Sequence, residues 1–162
     1  MRHPAPISTG WTLAVGASLV LAVLAVLPPM VDGPFGALVH HAFSAVCHQI
    51  PDRSPHLHGE AIALCHRCSG ILVGLIAGLA IAPLSGGPRL RRIERSAQFG
   101  WLILAGLPTG IDWAVGALGW WMNTPASRSL TGALFGLVAG GVLAANLLTP
   151  RFPRPLSTSY AS

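Results

Sequence analysis

The chain has 162 residues, 52% of them hydrophobic and 9% charged, with a mean hydropathy of +0.60. A soluble domain carries about 25% charged residues, so this composition excludes an ordinary water-soluble fold and points to lipid. Ten arginines and no lysine against five acids give a formal charge of +5. The arginines lie in short segments between apolar runs, with no basic face interleaved with aromatics, so nucleic-acid binding is excluded too.

In chain order, the run Trp11–Leu27 is apolar and just long enough to span a bilayer with little tilt. Arg2 and His3 precede it, which makes a cleaved signal peptide the rival reading. No small-x-small site with polar sequence follows the run, so it is expected to stay as a helix, ended by Pro28 and Pro29. Phe35–Ile50 reads as a short, half-polar helix on which His40, Ser44, Cys47 and His48 share one face. Pro51–Gly59 is a loop by composition. Ala61–Pro83, Gln98–Trp121 and Leu130–Leu148 are a second, third and fourth span. The expected architecture is all-α: residues 1–162 form a single polytopic membrane domain of four transmembrane helices. A short outer-face helix precedes the second span, and a Cys/His connector runs over residues 31–60.

Orientation follows from arginine placement. Arg2, Arg89, Arg91, Arg92, Arg95, Arg151 and Arg154 fall on one side of a four-span topology, and Arg53, Arg67 and Arg128 on the other. The positive-inside rule puts the first group, with both termini, in the cytoplasm of a cell whose inner membrane holds the chain. The Cys/His connector then faces outward. Asp112, inside the third span, lies roughly 13 Å below its outer end.

A two-fold internal repeat is also visible. Leu27-Pro28-x-x-Val31-Asp32 resembles Leu107-Pro108-x-x-Ile111-Asp112, and Ser69-Gly70-x-x-x-Gly74 resembles Thr131-Gly132-x-x-x-Gly136, each continuing to a third glycine, Gly78 or Gly140. Glycines four apart let helix backbones approach closely in lipid, and packing is the expected role of all six. A homo-oligomer is also compatible with the sequence.

The chemistry-bearing residues are concentrated in Cys47–Gly70, which holds all three cysteines. Cys65-x-x-Cys68 at the mouth of a helix puts two thiols on one side, a spacing used for metal binding or thiol redox chemistry. Cys47 and His48 are far enough upstream for the chain to fold back, which would complete a Cys3His set for zinc or copper. The same atoms allow a redox pair, Cys65 and Cys68, lowered in pKa by Arg67 and the helix N-terminus and working with a quinone. A structural disulfide is the third reading. Asp112 is costly inside a span unless paired, and its expected partner is Arg67, Arg128 or Arg53. Asn123 and Arg128 stand at the start of the fourth span, where Arg128 could meet an anion or a lipid headgroup. That gives a lipid-phosphate or anion-handling reading through Arg53, Arg67 and Arg128. His56 and His58 read as solvated loop residues, and His66 as a subsidiary ligand candidate.

Four motifs in order, Cys47-His48-Gln49-x-x-x-Arg53-Ser54, Cys65-x-Arg67-Cys68-Ser69-Gly70-Ile71, Pro108-x-x-x-Asp112 and Asn123-x-x-x-x-Arg128-x-x-Thr131-Gly132, resemble an uncharacterised prokaryotic membrane-protein family. It is the domain of unknown function numbered two-thousand-and-eighty-five. The resemblance spans about Pro28 to Leu148 and implies a small polytopic membrane protein, without implying a reaction. Ser69, Leu72 and Trp113 depart from the threonine, tyrosine and glycine often found at those places.

Overall fold

The computed structural model describes residues 8–84, 94–120 and 122–148. Among these residues five α-helices carry the fold: α1 (Thr9–Val26), α2 (Pro34–Phe43), α3 (His66–Ile81), α4 (Arg95–Ala117) and α5 (Pro125–Leu147). Among the described residues the only strands are a two-residue pair, β1 (His56–Leu57) and β2 (Glu60–Ala61), with His56 opposite Ala61. His58 and Gly59 turn this hairpin with φ of 52° and 89°, the left-handed pair that a two-residue turn of matching twist requires. Three helices, α1, α4 and α5, are long and apolar enough to cross a membrane, while α3 is apolar but has 16 residues.

Each helix end has a local cause. Ser8 caps α1 by accepting from the Trp11 N–H at 3.2 Å, and Pro28 and Pro29 follow its last turn. Thr124 caps α5 by accepting from the Ser127 N–H at 3.1 Å, with Pro125 in the first helical position, where its missing N–H costs nothing. Helix α4 closes at Gly119, whose φ is 72°: its N–H donates to the Gly116 carbonyl, and that of Trp120 to the Val115 carbonyl at 3.1 Å. This is the left-handed glycine termination that satisfies the last carbonyls.

Several boundaries differ from the sequence expectation. The short outer helix ends at Phe43 instead of Ile50, because Pro51 holds Ile50 extended (φ −67°, ψ 120°) and the chain has already left helical geometry by Cys47. The run expected to start a helix at Ala61 instead passes Ile62, Ala63 and Leu64 through the interior without helical structure, and α3 begins only at His66. Helix α4 stops at Ala117, short of Trp121, which lies outside the described residues, as do Arg2, Arg89, Arg91, Arg92, Arg151 and Arg154.

The centre of the molecule is the contact between α3 and α5. Built onto Gly70, Gly74 and Gly78, a Cβ would fall onto the carbonyl oxygens of Ser129, Ala133 and Leu137; built onto Gly132, Gly136 and Gly140, it would fall onto those of Arg67, Ile71 and Leu75. Every contact recurs with the two helices exchanged, and the register advances together, so α3 and α5 run parallel with their backbones touching. Such an approach brings Cα–H groups against carbonyls over three successive turns. Helix α1 runs antiparallel to α3: Trp11 Nε1 donates to the Leu79 carbonyl at 3.0 Å, while the Ala25 carbonyl accepts from Ala63 N–H at 2.9 Å near the opposite end. Helix α4 runs antiparallel to α5, with Asn146 donating to Gln98 at 3.0 Å near one end and Thr109 donating to the Thr131 carbonyl at 2.9 Å further along. Large apolar side chains on the outer faces, such as Leu13 (68% exposed) and Ile103 (68%), have no protein to cover them, as expected where lipid is the solvent.

The glycine contact makes a direct prediction. Gly136→Ala puts a methyl group against the Ile71 carbonyl and should destabilise the bundle by roughly 1–3 kcal/mol through overpacking. Gly110→Ala, on α4 with nothing within 4 Å of the added carbon, should be neutral or slightly stabilising. Thermal unfolding of both variants in detergent checks the contrast.

A candidate thiol site beside an arginine-lined cleft

Two of the three cysteines come from the start of α3. Cys65 is its N-cap residue, still extended, and Cys68 lies in its first turn. Cys47 arrives from the other direction, on the irregular segment after α2. The three sulfurs lie within 4.8 Å of one another, and the Cys65 N–H donates to Cys47 Sγ at 3.2 Å. All three are free thiols, with Cys47 buried and the other two half-buried.

A short chain of backbone bonds brings Cys47 to this place. Its N–H donates to the Phe43 carbonyl at 3.0 Å, continuing the last turn of α2. Gln49 then takes a left-handed φ of 48°, uncommon for a side chain of its size. Its Nε2 donates to the His40 carbonyl at 2.6 Å and the Ala63 carbonyl at 3.0 Å, lacing the end of α2 to the strap that leads into α3. Ala63 is tied in turn to the end of α1. Cys47 therefore packs with Ala25, Val39, Phe43, Ala63 and Leu64, and Cys65, Cys68 and Leu72 close over that cluster.

His48 was expected among the ligands, and the structure does not bring it into the sulfur group. Its side chain is exposed, and although it lines the same cavity as the cysteines, its ring nitrogens lie outside the set of mutually close donors. The reason is the backbone: adjacent residues on a non-helical segment point apart, and the inward direction is taken by Cys47. His66 also stays outside the group, with its carbonyl accepting from Ser129 Oγ at 3.3 Å. His56 and His58 sit on the hairpin.

The Cys65 thiol is drawn down to about 4. The first cause is the hydrogen bond from the Cys68 thiol; backbone N–H groups of Cys68 and Arg67 and the Cys47 thiol add to it, and burial opposes it.

Asp112 is the second centre. Arg67 Nη2 pairs with its Oδ2, which also accepts from Asn123 Nδ2 at 3.0 Å, while Ser127 Oγ donates to Oδ1 at 3.0 Å. Both carboxylate oxygens are thus satisfied, and one partly buried acid ties α3, α4 and α5 together at the end where the thiols lie. Of the three partners the sequence offered, Arg67 takes the role. Arg53 and Arg128 instead line two adjoining cavities of about 270 and 280 Å³, together with Arg67 and Trp113. Asp32 is exposed in the segment between α1 and α2 and takes no part in this network. Ser127 and Gln49 were given no role from the sequence. Gln49 was visible as a motif residue, but a left-handed glutamine cannot be foreseen from composition.

A family model described as a predicted membrane protein family, DUF2085, matches residues 47–142, more than half of the chain. The uncharacterised protein MJ1492 of Methanocaldococcus jannaschii is 28% identical over 100 residues, which cover 60% of this chain and 61% of that protein. The chain thus spans about three fifths of the length of the curated relative it matches. No solved structure matches. The family match begins at Cys47 and takes in the whole thiol group, the Asp112 network and all six packing glycines.

Removing the acid while leaving its cation tests the second centre. Asp112→Ala strands Arg67 in a largely buried position and should cost roughly 3–5 kcal/mol. Adding Arg67→Met should recover part of that loss in a double-mutant cycle read by detergent unfolding. For the thiols, the sign of the shift sets the pH profile: with its pKa lowered, Cys65 stays thiolate from about pH 4 upward. In metal-free protein its alkylation by iodoacetamide should be nearly flat between about pH 6 and 8. Cys65→Ser should remove this pH-independent labelling.

Proposed function

This chain belongs to the DUF2085 family of predicted membrane proteins, and on that premise we propose that it is a metal-binding protein of the cell membrane, holding zinc or copper through Cys47, Cys65 and Cys68. One observation carries the reading: three thiols from two distant segments converge within 4.8 Å of one another. A metal bound to sulfur at about 2.3 Å needs its thiolates about 3.8–4.0 Å apart, within that limit. Soft thiolates select zinc or copper(I) over hard cations. Cys65 and Cys68 are half-buried on the wall of a cavity, which favours a site that exchanges its ion over one sealed for structure alone. His48, on the wall of the same cavity, lies outside the sulfur group, so a fourth position would fall to a group from the cavity.

The setting proposed for this site is a four-span bundle in one membrane domain, α3 being the fourth crossing. Its 16 residues reach about 24 Å, and the alternation of helix directions supports a crossing there. The start of α1, the end of α5 and Arg95 share one end of the bundle, with the thiols at the other. The positive-inside rule then supports cytoplasmic termini and an outward-facing site. The mirrored glycine contacts between α3 and α5 support reading the chain as two related halves, each an antiparallel pair, α1 with α3 and α4 with α5.

Metal analysis with thiol counting on detergent-purified protein tests the proposal. Roughly one equivalent of zinc or copper is expected, lost in Cys65→Ser and in Cys47→Ser and retained in His48→Ala. A metal-free protein with a Cys65–Cys68 disulfide that a quinone re-forms after reduction would overturn the metal reading in favour of a thiol oxidoreductase. A metal-free, inert disulfide would reduce the site to a staple.

A further inference from the structure

Three arginines from distant parts of the chain meet at one cleft. Arg53 ends a 3₁₀ turn (Pro51–Arg53), Arg67 lies in the first turn of α3 and Arg128 in the first turn of α5, and all three line both adjoining cavities. Only Arg67 has a carboxylate, and that carboxylate is already saturated by Arg67, Asn123 and Ser127. Among the described residues, the guanidinium groups of Arg53 and Arg128 have neither an ion-pair nor a hydrogen-bond partner, and Arg67 Nε is buried with no acceptor. The surplus is two positive charges. With zinc at the thiol site, three thiolates leave a single negative charge, one short of cancelling it. The N-terminal ends of α3 and α5, which carry Arg67 and Arg128, add partial positive charge at the same place.

We propose that this cleft binds a phosphate-class anion, with Arg53 and Arg128 as the two gripping groups and Arg67, fixed by Asp112, as the preset third wall. Guanidinium forks match a tetrahedral oxyanion and hold it through paired charge-assisted hydrogen bonds. The phosphate is either free or the headgroup of an anionic lipid. Trp113, 62% exposed, and Met122, 91% exposed, border the cleft with large apolar surface that suits a headgroup approached from the membrane interface. A cavity of about 270 Å³ holds a phosphate and a short polar stem but no acyl chain. The three arginines line the first cavity without the cysteines, which line only the second.

Two probes on the full-length protein test it. The first is calorimetric titration with inorganic phosphate in detergent at fixed ionic strength. The second is retention of phosphatidylglycerol over phosphatidylcholine from mixed bilayers, read by native mass spectrometry. Wild type should bind at least one probe, with Arg53→Gln and Arg128→Gln each weakening it roughly tenfold or more. Gly110→Ala, on α4 away from the cleft with nothing within 4 Å of the added carbon, should leave it unchanged. Arg128→Lys keeps the charge without the fork and should fall in between, provided its melting temperature matches wild type. Phosphate binding without lipid selection identifies a free anion; lipid selection with weak phosphate binding identifies a headgroup. Wild-type protein that takes up neither probe, or an Arg53→Gln/Arg128→Gln variant indistinguishable from it, overturns the proposal.

Discussion

Backbone contact between α3 and α5 is the constraint from which the other arrangements follow. In lipid there is no hydrophobic force pulling two apolar helices together, so their attraction comes from close packing. Glycine at six facing positions removes every side chain that would keep the two backbones apart, and each backbone then lies against the carbonyls of the other over three turns. Because the two helices are parallel and in register, their first turns end up side by side. That sets Arg67 and Cys68 near Ser127 and Arg128 before any polar interaction is considered.

The polar network uses this juxtaposition. Asp112 comes from α4, antiparallel to both central helices, and meets the first turns of α3 and α5 at once through Arg67 and Ser127. A carboxylate at that depth costs free energy unless both oxygens are paired, and here both are. The carboxylate therefore reports correct assembly of three helices, since displacing any one of them leaves a buried charge exposed to an apolar surrounding. Its neutralisation of Arg67 is also what leaves Arg53 and Arg128 as the uncompensated charges of the cleft.

The thiol group depends on a different device. Cys65 and Cys68 are delivered by α3, but Cys47 arrives through a strap with little regular structure, held by Gln49 and by the bond from Ala63 to Ala25. The site is thus part rigid helix and part laced loop, set in an apolar cluster at one end of the bundle. A metal bridging the two segments would close the loop from outside the helix and stabilise a region that the glycine contact does not reach.

Much of this was legible in the residues themselves. The apolar runs, the proline stops, the glycine period and the concentration of cysteine, histidine and arginine in one connector all follow from local composition, and local composition governs whether a segment is helical and lipid-compatible. The Asp112–Arg67 pair was within reach because a carboxylate in a span restricts its own partners. The early end of α2, the inward course of Ile62–Leu64 and the late start of α3 were not legible, because they depend on Gln49 and Ala63 finding carbonyls far along the chain. For the same reason the sequence placed His48 with the cysteines while the fold sends it outward: spacing says which side chains can reach a site, and only the path of the backbone decides which of two neighbours turns in. The sequence by itself thus determined the solvent, the helices and the inventory of reactive groups. The tertiary structure decided which of those groups face one another, since that depends on contacts between residues that no local pattern connects.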